Sequence, residues 1–161
     1  MNRLISPLRR QSCLGLTYFE LVISFTILAI MAMGAVPLAE ITIKRKKEIE
    51  LRRALRTLRD AIDRYKDLID EGKISQEYID QEGYPPDLET LVKGVKEKGS
   101  ISKVYKFLRR IPKDPMTGER EWGMRSYQDD PDSDSWGGQN VYDVYCLSED
   151  EGLDGTPYKD W

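Results

Sequence analysis

The amino-acid sequence predicts an α+β protein in which one long N-terminal helix packs on a small antiparallel β-sheet. Residues 16 to about 70 follow a single helical pattern, and short segments with strand-like alternation follow at 121–127 and 141–146. The helix carries an apolar stripe that must pack on another element, and the sheet needs a partner for its core face. A helix followed by strands in this order is typical of the α+β class.

The two halves of the helix differ in polarity. Residues 21–43 are mostly apolar on all sides and are about long enough to cross a bilayer. Pro37 removes a helix hydrogen bond, so we expect a kink or a loosened turn near Gly34. The basic residues 44–47 are interpreted as the solvated flank of this segment. The second half has one apolar stripe at alternating gaps of four and three, formed by Leu51, Leu55, Leu58, Ile62, Tyr65 and Ile69.

A basic N-terminal leader precedes the apolar run. Residues 1–15 contain three arginines and end in Gly15, and Glu20 lies just inside the apolar segment. A carboxylate there costs on the order of a few kcal/mol in a bilayer unless a partner neutralises it. An ordinary secretory signal, with a short apolar core before its cleavage site, fits poorly because Gly15 precedes a longer run. A plain single-span anchor is the other simple alternative.

Composition limits the remaining possibilities. The chain has 161 residues, a net charge of −3 and no histidine. Removal of residues 1–15 would take away three arginines and no acidic residue, which leaves a net charge of −6. A negative net charge is not typical of a nucleic-acid-binding protein. Basic residues flank the apolar run on both sides, so charge does not fix its orientation. Of the two cysteines, Cys13 lies in the leader, so the mature chain has Cys146 alone and forms no internal disulfide.

The sequence predicts no enzyme. Without histidine, a Ser-His-Asp or Cys-His arrangement and an H-E-x-x-H zinc site are impossible. Residues 94–100 have the glycine spacing of a phosphate loop but lack the lysine after the second glycine, and we interpret them as a surface loop. Adjacent carboxylates such as Glu149 and Asp150 could serve glycoside chemistry, but nothing else in the chain builds a sugar cleft.

Short elements punctuated by glycine and proline follow the long helix. Residues 80–86 are predicted to form a turn, 87–91 a short helix with an acidic start, and 111–115 a second fixed turn. Residues 129–134 imitate the beginning of an EF-hand loop. Counting from Asp130, however, the sixth position is Ser135 and the twelfth is Val141, so we interpret this segment as a polar loop.

Residues 147–156, called the C-terminal loop below, combine four acids with two glycines. Hard oxygen donors on a flexible loop suit Ca²⁺, which takes six to eight of them. The alternative is a solvated acidic tail.

Four blocks of sequence, in order along nearly the entire chain, carry a family resemblance. They are GLTYFELVISFTIL, GYPPDLETL, RRIPKDPMTGEREW and YDVYCLSEDEGLDGTPYKDW. Together they resemble the major (G-type) pseudopilins of type II secretion systems, which are relatives of type IV pilins. The first block is similar to a prepilin signal, with Gly15, Thr17 and Glu20 in place. The first block departs from the family at Leu16, where the family has Phe. The third block departs at Met116-Thr117, where the family often has an aromatic residue after Asp-Pro.

The resemblance implies a type IV pilin-like fold and three parts: a leader (1–15), a transmembrane or filament-core helix (16–43) and a periplasmic domain (44–161). A prepilin peptidase would cleave after Gly15 and methylate Leu16. The precursor would sit in the bacterial inner membrane as a single-pass protein. The mature subunit would then polymerise with itself and minor pseudopilins on an inner-membrane assembly platform, giving a periplasmic filament that drives protein export.

The resemblance also assigns roles to individual residues. Glu20 would be compensated by the free amine at Leu16 of the adjoining subunit, and Pro37 would mark where the helix partly melts in the filament. Calcium would be held by the side chains of Asp150 and Asp154 and by the backbone carbonyls of Leu147 and Thr156.

A type IV pilus subunit for adhesion, motility or DNA uptake is the alternative function. Many such pilins close their C-terminal region with a disulfide, which this mature chain lacks, so the pseudopilus is favoured. A membrane-anchored monomer with a binding domain would leave Glu20 unexplained.

Overall fold

The computed structural model of this chain describes residues 15, 17–74, 82–100 and 102–161. Its elements, in chain order, are α1 (Tyr18–Asp70), α2 (Leu88–Lys93), β1 (Val95–Lys96), β2 (Val104–Tyr105), β3 (Gly123–Arg125), β4 (Asp143–Tyr145) and a 3₁₀ turn at Tyr158–Asp160. The chain divides into two compact units, Met1–Glu40 and Ile41–Trp161. The predicted α+β class, with a long helix and small antiparallel pairing, is confirmed, but the strands form two sheets where the sequence predicted one.

The predicted apolar stripe of α1 forms one side of the core in the second unit. Leu51, Leu55, Leu58, Ile62 and Tyr65 are all buried, and Ile69 packs against them while partly exposed. The helix ends where Gly72 adopts a φ of 68° and donates its N–H to the carbonyl of Ile69 (2.9 Å). The predicted end near residue 70 is therefore confirmed.

The short helix α2 is fixed at both ends by its sequence. The Asp87 carboxylate caps it by accepting hydrogen bonds from the Thr90 N–H (2.6 Å) and hydroxyl (2.8 Å). Gly94 ends it with a φ of 85°, and a Cβ there would lie 2.5 Å from the Tyr105 carbonyl oxygen. The helix begins one residue after the predicted start and extends two residues beyond the predicted end.

The strands form two separate two-stranded antiparallel sheets. β1 pairs with β2, with Val95 opposite Tyr105. The prediction that residues 94–100 are only a loop is wrong. The sequence lacks the long alternation that marks a strand, because each strand of this hairpin has only two residues.

The second sheet pairs Gly123 with Tyr145 and Arg125 with Asp143. Both strands are shorter than predicted, because Ser126 and Asn140 leave the ladder. The Ser126 hydroxyl donates to the Asn140 carbonyl (3.0 Å), and the Asn140 side chain accepts the Tyr127 N–H (2.9 Å). Side-chain hydrogen bonds thus replace strand pairing at this end of the sheet.

Residues 129–134 form a loop between β3 and β4, as predicted. Asp129 folds it by accepting the N–H groups of Gly137 (3.0 Å) and Ser126 (2.7 Å). These two backbone hydrogen bonds lower the pKa of the Asp129 carboxyl below its usual value.

The core lies between the apolar stripe of α1 and residues of α2, of the second sheet with its flanking residues, and of the last part of the chain. Residues 146–161 are called the C-terminal segment below. The buried members of the core outside α1 are Leu88, Leu91, Leu108, Trp122, Val141, Val144, Cys146 and Tyr158. The C-terminal segment is thereby attached to the same core as the helix.

Candidate functional site

The start of α1 places Thr17 and Glu20 in a capping arrangement. The Thr17 hydroxyl accepts the Glu20 N–H (3.2 Å), and the Thr17 carbonyl accepts the Leu21 N–H (3.0 Å). A threonine before a helix followed by glutamate three residues later is a capping pattern, and an acid in the first turn is favoured by the helix dipole. These residues therefore have a local role in starting the helix. Gly15 is exposed, whereas Leu16 lies outside the described residues.

The side chains of α1 from Tyr18 to Met33 are exposed and mostly apolar. Phe19 is 73 % exposed and Met33 77 % exposed. The aliphatic hydroxyls of this run are satisfied within the helix, since Ser24 donates to the Glu20 carbonyl (2.7 Å) and Thr26 to the Val22 carbonyl (2.8 Å). Within the described residues, the carboxylate of Glu20 has no cation at ion-pair distance. This part of the helix thus presents an apolar surface with one charge.

Among the residues that the structure describes, no helix is both long and apolar enough to cross a bilayer. Pro37 lies within α1, whose helical backbone runs without a break from Tyr18 to Asp70. The side chains of residues 34–38 lie outside the described part of the structure. The predicted melting at Pro37 concerns an assembled filament and stays a prediction.

Residues 150–158, which include most of the C-terminal loop, fold back on themselves. The Tyr158 N–H donates to the Asp150 carbonyl (3.1 Å), and the Gly152 N–H donates to the Thr156 carbonyl (2.7 Å). Asp154 accepts both the N–H (3.0 Å) and the hydroxyl (2.6 Å) of Thr156, and these bonds lower the pKa of its carboxyl below the usual range. The loop thus has a hydrogen-bond framework of its own.

Three of the four predicted calcium ligands, Asp150, Asp154 and Thr156, lie on this framework, and Leu147 precedes it. Asp150 contacts the Ser148 hydroxyl through one carboxylate oxygen (3.3 Å), and the second oxygen of Asp154 faces Arg52 at 3.6 Å. The Thr156 carbonyl accepts one hydrogen bond, and a carbonyl has a second lone pair. These donors are compatible with a hard cation. Among the described residues, no three acidic or cysteine side chains are grouped so that they could hold a metal ion. The predicted site needs no such group, because its ligands are two carboxylates and two backbone carbonyls.

Three residues of α1 hold the C-terminal segment, and the sequence reasoning missed them. Glu48 is buried and accepts the Leu153 N–H (2.7 Å) and the Tyr158 hydroxyl (3.2 Å) through one oxygen. The guanidinium of Arg52 lies 4.1 Å from the centre of the Trp161 ring. Their spacing of four residues puts both side chains on one side of the helix.

Arg59 is the third of these residues. Its guanidinium pairs with Asp143 at 2.7 Å and also donates to the backbone carbonyls of Trp161 (3.0 Å) and Val144 (3.2 Å). One side chain thereby joins the helix, β4 and the C-terminal segment.

A sequence signal for Glu48 existed. It lies three residues before Leu51, which is the next position of the same alternating stripe. A carboxylate on an otherwise apolar stripe indicates a buried acid with a partner, because an unpaired buried charge is costly. Arg59 has no comparable signal, because its partners become neighbours only after folding.

Buried Cys146 has a specific partner. Its thiol donates to the Asp114 carboxylate (3.0 Å), whose other oxygen accepts the Met116 N–H (2.7 Å). Burial, with Asp114 beside it, raises the pKa of the thiol to about 12. Cys13 lies outside the described residues.

Comparisons with protein-family models, with curated proteins and with solved structures find no match to this chain.

Proposed function

We propose that this chain is a structural subunit of a type II secretion pseudopilus, with a type IV pilin-like fold. The observation that carries the proposal is the start of α1, where an exposed apolar helix surface bears one carboxylate, Glu20, that has no cation at ion-pair distance among the described residues. Such a surface is unstable in water and needs cover from lipid or from neighbouring helices. A subunit that passes from membrane to filament has both.

The charge on Glu20 is explained by assembly. Cleavage after Gly15 by a prepilin peptidase, followed by methylation, would leave a cationic amine at Leu16, four residues before Glu20. In a filament with water excluded, the amine of one subunit can compensate Glu20 of the next. Leaving either charge buried alone would cost roughly 3 to 5 kcal/mol.

The proposal places the precursor in the bacterial inner membrane and the domain that follows in the periplasm. Minor pseudopilins and an inner-membrane assembly platform would be its partners, and its role is structural rather than enzymatic. Calcium at Asp150 and Asp154, with the carbonyls of Leu147 and Thr156, would add a fastening to the C-terminal loop. Because Cys146 is buried and free, hydrogen bonds and ion pairs fasten the C-terminal segment without a disulfide, which favours the pseudopilus over a type IV pilus.

The test uses intact mass and assembly of the full chain in a bacterium that carries the secretion machinery. We expect a mature N-terminus at Leu16 carrying one methyl group. Glu20→Leu should insert and be cleaved but enter filaments poorly, whereas Glu50→Leu, an exposed acid further along α1, should assemble normally. Assembled protein that retains residues 1–15, or wild-type assembly by Glu20→Leu, would contradict the proposal. Filaments that emerge on the cell surface and retract would assign the chain to a pilus instead.

A further inference from the structure

A groove of about 580 Å³ lies beside α2 and the second sheet. Two indole rings line it, and both are fixed by backbone carbonyls: Trp122 Nε1 donates to Pro112 (3.0 Å) and Trp136 Nε1 donates to Asn140 (2.7 Å). Leu147 completes the apolar part and is 47 % exposed. Rigid aromatic walls with satisfied N–H groups are typical of binding surfaces, because little side-chain freedom is lost on contact.

The rim of this groove is acidic. Asp87, Glu89 and Glu121 line it against one arginine, Arg120. Asp87 caps α2 and Glu89 pairs with Lys93, so these two charges have local partners. Within the described residues, Glu121 forms no ion pair and is exposed. The groove therefore fits an apolar side chain accompanied by a cation.

The same chain carries a surface of that chemistry on α1. Arg45, Ile49 and Arg53 are spaced four residues apart, so they share one side of the helix. All three are exposed, and Ile49, which is 55 % exposed, lies off the buried stripe. Neither arginine has an ion-pair partner in the described part of the chain.

We propose that the groove of one copy receives Ile49 of a second copy, with Arg53 of that copy meeting Glu121. The choice of a second copy rests on the match between an acid-rimmed apolar groove and an apolar residue flanked by cations. Because the two surfaces are different patches of one chain, the contact is heterologous and repeats without closing unless it forms a ring. This inference rests on the proposed function and deepens it by naming a lateral contact between subunits.

The first test is cross-linking between two differently tagged full-length chains produced together. One carries Ile49→Cys and the other Glu121→Cys, and a short thiol-specific reagent joins only cysteines that are close. We expect a mixed-tag dimer in assembled material. Val104→Cys in place of Ile49→Cys is the matched control, because Val104 is an exposed aliphatic residue that lies on β2 and not on α1. This control should give no mixed-tag dimer.

The second test is charge reversal, read as the assembled fraction. Glu121→Arg and Arg53→Glu should each lower it, by about two- to fivefold for one exposed ion pair, and the double variant should recover. Glu119→Arg, which reverses an exposed acid two residues away, should have no effect.

Processed and assembled chains that give no mixed-tag dimer, or a double variant no better than either single one, would overturn this contact and leave the proposed function standing. A wild-type chain that never assembles would overturn both. Loss of secretion in Glu121→Arg with normal assembly would assign the groove to a different protein and overturn the second-copy proposal.

Discussion

Removal of the Glu48 carboxylate should loosen the C-terminal segment from α1. In Glu48→Ala, the Leu153 N–H loses a charge-assisted hydrogen bond of 2.7 Å, and the buried Tyr158 hydroxyl loses an acceptor at 3.2 Å. A hydrogen bond to a charged group contributes about 1.5–3 kcal/mol, and an unsatisfied buried hydroxyl costs about 1–3 kcal/mol. We therefore expect a loss of about 3 kcal/mol, out of the roughly 5–15 kcal/mol typical of a folded domain.

The assay is urea unfolding of the full chain in detergent, followed by tryptophan fluorescence. The chain has three tryptophans, at positions 122, 136 and 161, so the signal reports the second unit alone. Glu48→Gln keeps an acceptor oxygen and should lose only about 1 kcal/mol. Glu50→Ala, two residues away and exposed, should stay within about 0.5 kcal/mol of wild type.

A double-mutant cycle separates the two hydrogen bonds of Glu48. If Tyr158→Phe and Glu48→Ala act on the same contact, their effects should add to more than the effect of the double variant. Equal stability of Glu48→Ala and Glu50→Ala would refute the reasoning, because the segment would then be held without this carboxylate.

Two further predictions concern alkaline pH and calcium. Burial is the main cause that raises the pKa of both Tyr158 and Cys146 to about 12, so the neutral forms are favoured in the folded state. The contribution of these two groups to stability should therefore be constant below about pH 9 and should fall as pH rises towards 12. Tyr158→Phe should reduce that alkaline slope in urea titrations, and an unchanged slope would contradict this. Asp150→Ala and Asp154→Ala should each lower the melting temperature in calcium to near that of chelated wild type. Asp132→Ala should not, and an unchanged wild-type melting temperature after chelation would refute the metal site.

Local patterns predicted the parts of the fold that depend on neighbours in sequence. The stripe from Leu51 to Tyr65 places five apolar residues at alternating gaps of four and three, and Asp87 lies where a helix cap belongs, so these elements could be placed without coordinates. The β1–β2 hairpin could not, because two-residue strands leave no periodic signal. Contacts between distant residues are the harder case. Arg59 meets Asp143 across 84 residues, and no spacing rule connects them.

The site could be predicted only where chemistry is local. The concentration of acids and glycines at 147–156 predicts a loop that suits Ca²⁺, and the family resemblance selects Asp150 and Asp154 within it. The structure places both residues on one hydrogen-bonded loop. The exposed face at the start of α1 followed from composition alone. That α1 itself fastens the loop through Glu48 and Arg52 required the fold, because side-chain partners more than 100 residues apart are set by packing.

The bond between the Cys146 thiol and Asp114 has a consequence for redox chemistry. Thiolate, not thiol, attacks disulfides and reacts with oxidants. Burial raises the pKa of this thiol to about 12, so the thiol form dominates at neutral pH, and the sulfur is fully buried. An exposed cysteine in an oxidising compartment risks linking to a wrong partner. Burial and the raised pKa keep the Cys146 thiol unreactive, so the folded domain would resist such linkage wherever it met oxidants.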